Sequence, residues 1–372
     1  MLQISYACLE RQYQSEKNQL KIAFERVASL GQFVLGPVVE ELEQKLAEFC
    51  GTQFCVTLNS GTDALLLGMM AAGIGEGDEV ITPPNSFVAS AATIAHLRAN
   101  PVFVDVGVDQ NINVNLIEAA ITKKTKAIMP VHLTGRVCDM DSIIAIAKKH
   151  NLLIIEDAAQ AFGSSYKNKR SGSFGKIGCF SAHPLKAFNA CGDAGFLTTN
   201  DASIVDRVKR LRAHGLIDRN TVKEWGFLSR LDTVQASILL MRLNLIEGYI
   251  QQRRANIALY RQLLNSRHVF IPECREYEYN SFQTFVIQVD YRDALQEYLK
   301  KNGVESSIHY PIPIHCQEPA IMLGHKQGDF PVTETQATRI LSLPVSQFLK
   351  TEEIQYISEL INVFYANEQY SA

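Results

Sequence analysis

Four short stretches place small polar, aromatic, acidic and basic side chains just after runs that read as β-strands. The sharpest is Gly178-Cys179-Phe180-Ser181-Ala182-His183-Pro184-Leu185-Lys186, followed by Ala190-Cys191-Gly192-Asp193-Ala194-Gly195. A lysine on a proline-stiffened, glycine-flanked loop can have its pKa lowered by desolvation and neighbouring positive charge, and its neutral amine then attacks a carbonyl. Alone it would be an ordinary solvated lysine. In Leu152-Leu153-Ile154-Ile155-Glu156-Asp157-Ala158-Ala159-Gln160 an apolar strand delivers two carboxylates and an amide to a sheet edge. A buried carboxylate is costly there unless a positive group meets it; the plain alternative is that Asp157 caps the next segment. In Leu58-Asn59-Ser60-Gly61-Thr62-Asp63-Ala64-Leu65 a strand turns into a helix whose unpaired N–H groups and dipole favour an anion. Gly61 permits close backbone approach and the Thr62 hydroxyl can donate to a phosphate oxygen, although the same pattern also reads as a simple cap. Phe87, in Pro84-Asn85-Ser86-Phe87-Val88-Ala89, can lie against a planar ring or pack in a core.

Together these residues supply an anion cradle, a stacking ring, an acid for a ring nitrogen and an amine for an aldehyde. Pyridoxal 5'-phosphate makes those four demands. Lys186 would form the Schiff base, and an ionised Asp157 would keep the pyridine nitrogen protonated so that the ring acts as an electron sink. Ser181 would add a phosphate hydrogen bond.

Ligands of open α/β sheets bind outside the carboxyl ends of the strands, so the elements must form such a sheet. Candidate strands are Phe54–Leu58, Glu79–Thr82, Pro101–Val106, Ala127–Val131, Leu152–Glu156, Ile177–Phe180 and Gly195–Thr199. Helical patterns fall between them at Thr62–Ala72, Ser90–Leu97, Val114–Ala120 and Met140–Lys149. The strands are nearly continuous apolar runs, which predicts helices on both faces of a mostly parallel, seven-stranded sheet in an α/β domain. Beyond it, Leu231 to Leu264 reads as one or two long helices, Phe282–Val289 as a strand, Arg292–Asn302 as a helix and Glu352–Tyr365 as a final helix. The expected division is an N-terminal segment, 1–35, packing with the small domain; a large cofactor domain, 36–245; and a smaller α+β domain, 246–372.

Composition narrows the function classes. The chain of 372 residues carries a net charge of −3, with no long Lys/Arg run, which gives no electrostatic footprint for nucleic acid. No apolar stretch has the length of a membrane span, and the start lacks the basic and apolar regions of a secretion signal, so the cytoplasm is expected. The eight cysteines form no CxxC pair and stand beside no histidine cluster at zinc spacing, so reduced thiols and no metal are expected. Gly73-Ile74-Gly75-Glu76-Gly77-Asp78 follows a helix rather than a strand and lacks the spacing of a dinucleotide fingerprint.

On Ser60-Gly61-Thr62-Asp63-Ala64-Leu65, Glu156-Asp157-Ala158-Ala159-Gln160, Ser181-Ala182-His183-Pro184-Leu185-Lys186 and Gly192-Asp193-Ala194-Gly195, the chain resembles the DegT/StrS family of nucleotide-sugar aminotransferases, which are fold-type-I pyridoxal-phosphate enzymes. The resemblance runs from Phe33-Val34-Leu35-Gly36 to Leu341-Ser342-Leu343-Pro344. It implies that Lys186 is the Schiff-base lysine, that Asp157 partners the pyridine nitrogen, and that Gln160 lies near the phenolic oxygen. It further implies that Phe87 stacks on the ring, and that Gly61, Thr62 and Ser181 contact the phosphate. His183, Arg230, His309, Tyr310 and His315 become candidate substrate contacts, the last three in a proline-punctuated loop that resembles one closing over a sugar. The implied reaction is a two-stage transfer of an amino group from L-glutamate to a nucleoside-diphosphate keto sugar, with C3 favoured over C4, in a homodimer. Related sugar dehydratases carry histidine at the position of Lys186, which speaks against that chemistry. One departure is plain: where the family reads Asn-x-Arg-Leu-Asp, with an asparagine reaching the neighbouring subunit's cofactor phosphate, this chain has Leu228-Ser229-Arg230-Leu231-Asp232. Leu228 cannot donate a hydrogen bond, and it leaves open a binding or regulatory protein that has lost catalysis.

Overall fold

The computed structural model describes residues 2–366. The chain opens with α1 (Leu9–Ala28) and α2 (Pro37–Cys50). Pro37 sits at the first position of α2, where its missing N–H costs nothing, and Gly51 ends that helix in the left-handed conformation. Strands and helices then alternate as β1 (Phe54–Leu58), α3 (Gly61–Ala71), β2 (Glu79–Thr82), α4 (Ala89–His96), β3 (Asn100–Phe103), α5 (Val114–Ile117), β4 (Thr125–Ile128), α6 (Met140–His150) and β5 (Leu153–Asp157). A short hairpin, β6 (Ser165–Tyr166) and β7 (Lys169–Arg170), precedes β8 (Ile177–Ser181), β9 (Gly195–Thr199) and α7 (Ala202–Leu211).

The seven-stranded sheet has the order β1-β9-β8-β5-β4-β2-β3. Only β9 runs antiparallel to its neighbours, β1 and β8, and the remaining pairings are parallel. Successive side chains leave a strand on opposite faces. Ile177, Cys179 and Leu197 therefore join the core beneath α3 and α7, while Phe180 and Phe196 join the core beneath α2 and the later helix of residues 233–243. Two expected strands, Pro101–Val106 and Ala127–Val131, end earlier than their apolar runs. Pro130 has no N–H for the ladder. Asp105 turns out of the sheet, and its carboxylate accepts hydrogen bonds from the backbone N–H groups of Val332 and Thr333.

The segment read as one or two long helices is two, α8 (Thr233–Leu243) and α9 (Ile246–Leu263). After them come β10 (Val269–Phe270), β11 (Glu278–Tyr279), β12 (Phe285–Val289), α10 (Arg292–Lys301), α11 (Glu318–Ile321), α12 (Pro331–Arg339), β13 (Ile340–Leu343) and α13 (Thr351–Ala366). A second sheet, β10-β12-β13, packs with α9, α10 and α13 around Tyr260, Phe285, Ile287, Leu299, Leu341 and Ile357. The N-terminal segment touches both cores: Ile4 bridges Val304 and lies in the second core, whereas α1 packs against α8. Among the described residues, no helix is long and apolar enough to cross a membrane.

Candidate active site

The carboxyl ends of β1, β5 and β8 meet where Ser60, Asp157 and Ser181 leave the sheet. Ser60 caps α3 by accepting the N–H of Asp63 at 3.1 Å. The cap is thus Ser60, and the hydroxyl of exposed Thr62 remains open at the first turn of the helix. Glycine is required at two points of this cradle. A Cβ on Gly61 would lie 2.7 Å from the Ser181 Cβ, and one on Gly195 would lie 2.1 Å from the Ser60 carbonyl carbon. The Ser181 hydroxyl accepts the N–H of His183 at 3.3 Å and keeps its own proton to donate.

The two adjacent carboxylates of β5 have opposite surroundings. Glu156 is fully buried and saturated: it accepts the N–H groups of Gly172, Phe174 and Gly175, each at 2.7 Å, and faces His132 Nε2 at 3.0 Å. His132 Nδ1 accepts the Cys138 N–H, so Nε2 carries the proton and donates to Glu156. Asp157 is equally deep, 5% exposed, yet it receives only the Ser90 hydroxyl at 2.7 Å and the Ala159 N–H at 3.2 Å. No cation forms an ion pair with it among the described residues. The Ser86 hydroxyl donates in turn to Ser90 at 2.9 Å. This serine relay escaped the sequence reading, although Ser86 and Ser90 lie four apart, the spacing that places side chains on one helical face.

Lys186 follows β8 on the loop whose turn is closed by its own N–H donating to the His183 carbonyl at 2.8 Å. Its ammonium is lowered to about 8, chiefly by desolvation, with the Asp157 charge opposing. Phe87 is 55% exposed at the end of β2, and its ring centroid stands 5.9 Å from that of Tyr310. Gln160 accepts the Thr134 N–H at 2.8 Å, and its Nε2 donates to the Tyr310 hydroxyl at 3.3 Å. Tyr310 and His309 thus reach the cradle from the second core, joined by a cis peptide bond. His309 Nδ1 lies 2.8 Å from the Ser342 hydroxyl. Burial, and then the nearby Lys186 charge, push its pKa down to about 4. Tyr6, unforeseen from sequence, brings its ring to 5.9 Å from that of His309.

The remaining candidates stand apart. His183 is exposed on the lysine loop, with Nδ1 accepting the Leu185 N–H. Arg230 forms no hydrogen bond or ion pair among the described residues, and the neighbouring Ser229 hydroxyl ties that strand to Asn59 at 3.2 Å. Leu228 is 55% exposed. His315 is fully buried, with Nε2 2.9 Å from Glu334 and 3.2 Å from the Cys316 thiol. The carboxylate of Glu334 also accepts the N–H groups of Gly328 and Phe330, so this cluster reads as an anchor beneath α12.

A lysine, an acid without a counter-ion, an exposed ring and a glycine-lined helix start, gathered at the carboxyl ends of a mostly parallel sheet, define the class of fold-type-I pyridoxal-phosphate enzymes. The comparisons with known proteins agree. The model of the DegT/DnrJ/EryC1/StrS aminotransferase family matches residues 14–362, and the chain belongs to that family. A UDP-2-acetamido-2-deoxy-3-oxo-D-glucuronate aminotransferase of Pseudomonas aeruginosa is 40% identical over 95% of this chain and 98% of its own. A pleiotropic regulatory protein of Geobacillus stearothermophilus is 39% identical over 96% and 97% of the two chains. The solved structure of DesV from S. venezuelae, in complex with a ketimine intermediate, superposes with a TM-score of 0.95 at 32% identity, over 98% of this chain and 99% of that one.

Proposed function

We propose that this aminotransferase moves an amino group from L-glutamate to the keto carbon of a nucleoside-diphosphate sugar, at C3 in preference to C4, as a cytoplasmic homodimer. The observation that carries the reading is Asp157, a deeply buried carboxylate with no ion-paired cation among the described residues, at the strand ends from which the Lys186 loop departs. Pyridoxal phosphate, when bound, supplies the electron-withdrawing ring that makes the α-proton of an amino compound removable. This chain's residues fit it. The α3 start, Thr62 and Ser181 would hold the phosphate, Phe87 would cover the ring, Asp157 would meet the ring nitrogen, and Gln160 would stand beside the phenolic oxygen. Asp157 is aimed by the Ser90 hydroxyl, which is itself aimed by Ser86. Lys186, with an amine largely neutral a little above pH 8, takes a proton from the donor carbon and returns one, its depressed pKa matching general base and acid roles. His309, neutral above pH 4, and Tyr310 form the cover that keeps water from the amine and lie where sugar hydroxyls would arrive. His183, Arg230 and His315 complete the proposed substrate side, His315 acting through the loop it anchors.

Preference for C3 is supported by the 3-oxo sugar in the name of the Pseudomonas aeruginosa relative. The dimer is supported by exposed apolar groups in two places, Ile22 and Phe24 of α1 and Trp225, Phe227 and Leu228 of the loop that follows α7. Loading the protein with pyridoxal phosphate and adding L-glutamate tests the reading: the yellow band should bleach, and a keto sugar should restore it. The Geobacillus stearothermophilus relative, together with Leu228, favours a second reading, a cofactor-binding regulatory protein. Firm cofactor binding with no exchange of amino groups for any amino acid would decide for it.

A further inference from the structure

The residues on either side of Lys186 are held by one side chain from a distant part of the sequence. The carboxamide of Gln283 accepts the Ala187 N–H through Oε1 at 2.6 Å, and its Nε2 donates to the Leu185 carbonyl at 2.9 Å. An N–H can only donate and a carbonyl can only accept, so this pairing fixes which way the amide faces. Gln283 is itself immobilised. Phe282 before it adopts a left-handed φ of 50°. The Phe282 N–H donates to Asn280 Oδ1 at 2.7 Å, and Arg253 Nη1 donates to the Phe282 and Gln283 carbonyls at 3.0 and 3.3 Å. A non-glycine residue is kept in that conformation only where its surroundings over-determine it. Ser164, of the first half of the chain, receives the Ser281 N–H at 3.1 Å and so ties the same segment to the large sheet's side. On the far side of the loop, Asn189 donates to the Pro184 carbonyl at 2.7 Å and is held by Gln12 of α1.

We infer that Gln283 is a positioning residue for the reactive lysine: its amide brackets Leu185 and Ala187, fixes the Cα of Lys186, and makes the placement of the amine depend on the docking of segment 280–283. The inference rests on Lys186 being the reactive amine. A bracket on both neighbours removes the backbone freedom that would otherwise let the amine wander by the ångström that matters for proton transfer.

Gln283→Met keeps the length and removes both hydrogen bonds, whereas Gln283→Glu keeps the acceptor for Ala187 and turns an oxygen toward the Leu185 carbonyl. Both are compared with wild type, with Lys186→Arg as control. In the cofactor-free protein, amide exchange at Ala187 should quicken roughly tenfold or more in the Met variant and less in the Glu variant, with β12 unchanged. In the loaded proteins, the pH midpoint of the Lys186-dependent visible band should move by about half a unit or more in the Met variant. Wild-type exchange and an unmoved midpoint in the Met variant would overturn the inference; if that variant does not fold, a wild-type profile in the Glu variant would do so. A band that persists in Lys186→Arg would instead remove the lysine assignment, a different failure from an unmoved band that still needs Lys186.

Discussion

Glu156 and Asp157 are consecutive residues of one strand and have different fates. Glu156 points to the side where the 172–175 turn closes, and four donors use up its lone pairs. Asp157 points to the strand-end cleft, where one hydroxyl and one N–H leave a buried carboxylate under-served. Alternation along a strand separates them, and the count of hydrogen-bond donors separates structure from chemistry. The cradle is built by β1, β5 and β8, and the cover by His309 and Tyr310, with the Tyr6 ring beside His309.

The contrast can be broken by substitution. Lys186→Ala should lose the yellow band and all measurable turnover while its thermal unfolding stays near wild type. Asp157→Ala should come next, with a fall of about 100-fold or more in amino transfer and a small change in stability. Glu156→Ala should do the reverse. It strands the three backbone N–H groups and the His132 N–H that Glu156 accepts and should cost about 3 kcal/mol or more, read as a lowered midpoint in urea, and any activity loss should follow that instability. If Glu156→Ala is as stable as wild type, or Asp157→Ala unfolds readily, the division between the two is wrong. Ser90→Ala, which removes one hydrogen bond to Asp157, should cost about 1–2 kcal/mol, seen as roughly tenfold weaker cofactor retention in dialysis.

The pH dependence sharpens the lysine's part. A lowered pKa means that the neutral amine appears at lower pH. The cofactor-free protein should therefore capture pyridoxal phosphate with a rate rising through about pH 8, not near the ordinary lysine value of 10.5. His309, already neutral above about 4, adds no step between pH 6 and 9. A midpoint near 10.5 in stopped-flow absorbance would show that Lys186 is solvated as an ordinary surface lysine is.

The cradle was legible because each of its parts is local. A strand, a turn and a helix start lie within eight residues at Leu58–Leu65, and the apolar runs gave β1, β2 and β9 the bounds they have. The seven strands followed from such runs too, most ends falling within one or two residues, with larger errors only at the ends of β3 and β4, where Asp105 and Pro130 break the ladder for reasons outside the period of the pattern. The cover was partly legible, since His309 and Tyr310 stand in a proline-marked loop. Tyr6 and Gln283 were not, because their contacts span the length of the chain and neither carries a local signature. His315 looked like its neighbours in sequence and proved to be buried against Glu334. Periodicity reports which face is apolar, not which polar side chain meets which.

The most direct test of the central claim is absorption spectroscopy of the pyridoxal-phosphate-loaded protein before and after L-glutamate. The account predicts a yellow band that depends on Lys186, survives Glu156→Gln, and bleaches on adding the amino acid. A band that survives Lys186→Arg, or the absence of any band in the loaded wild-type protein, would contradict it.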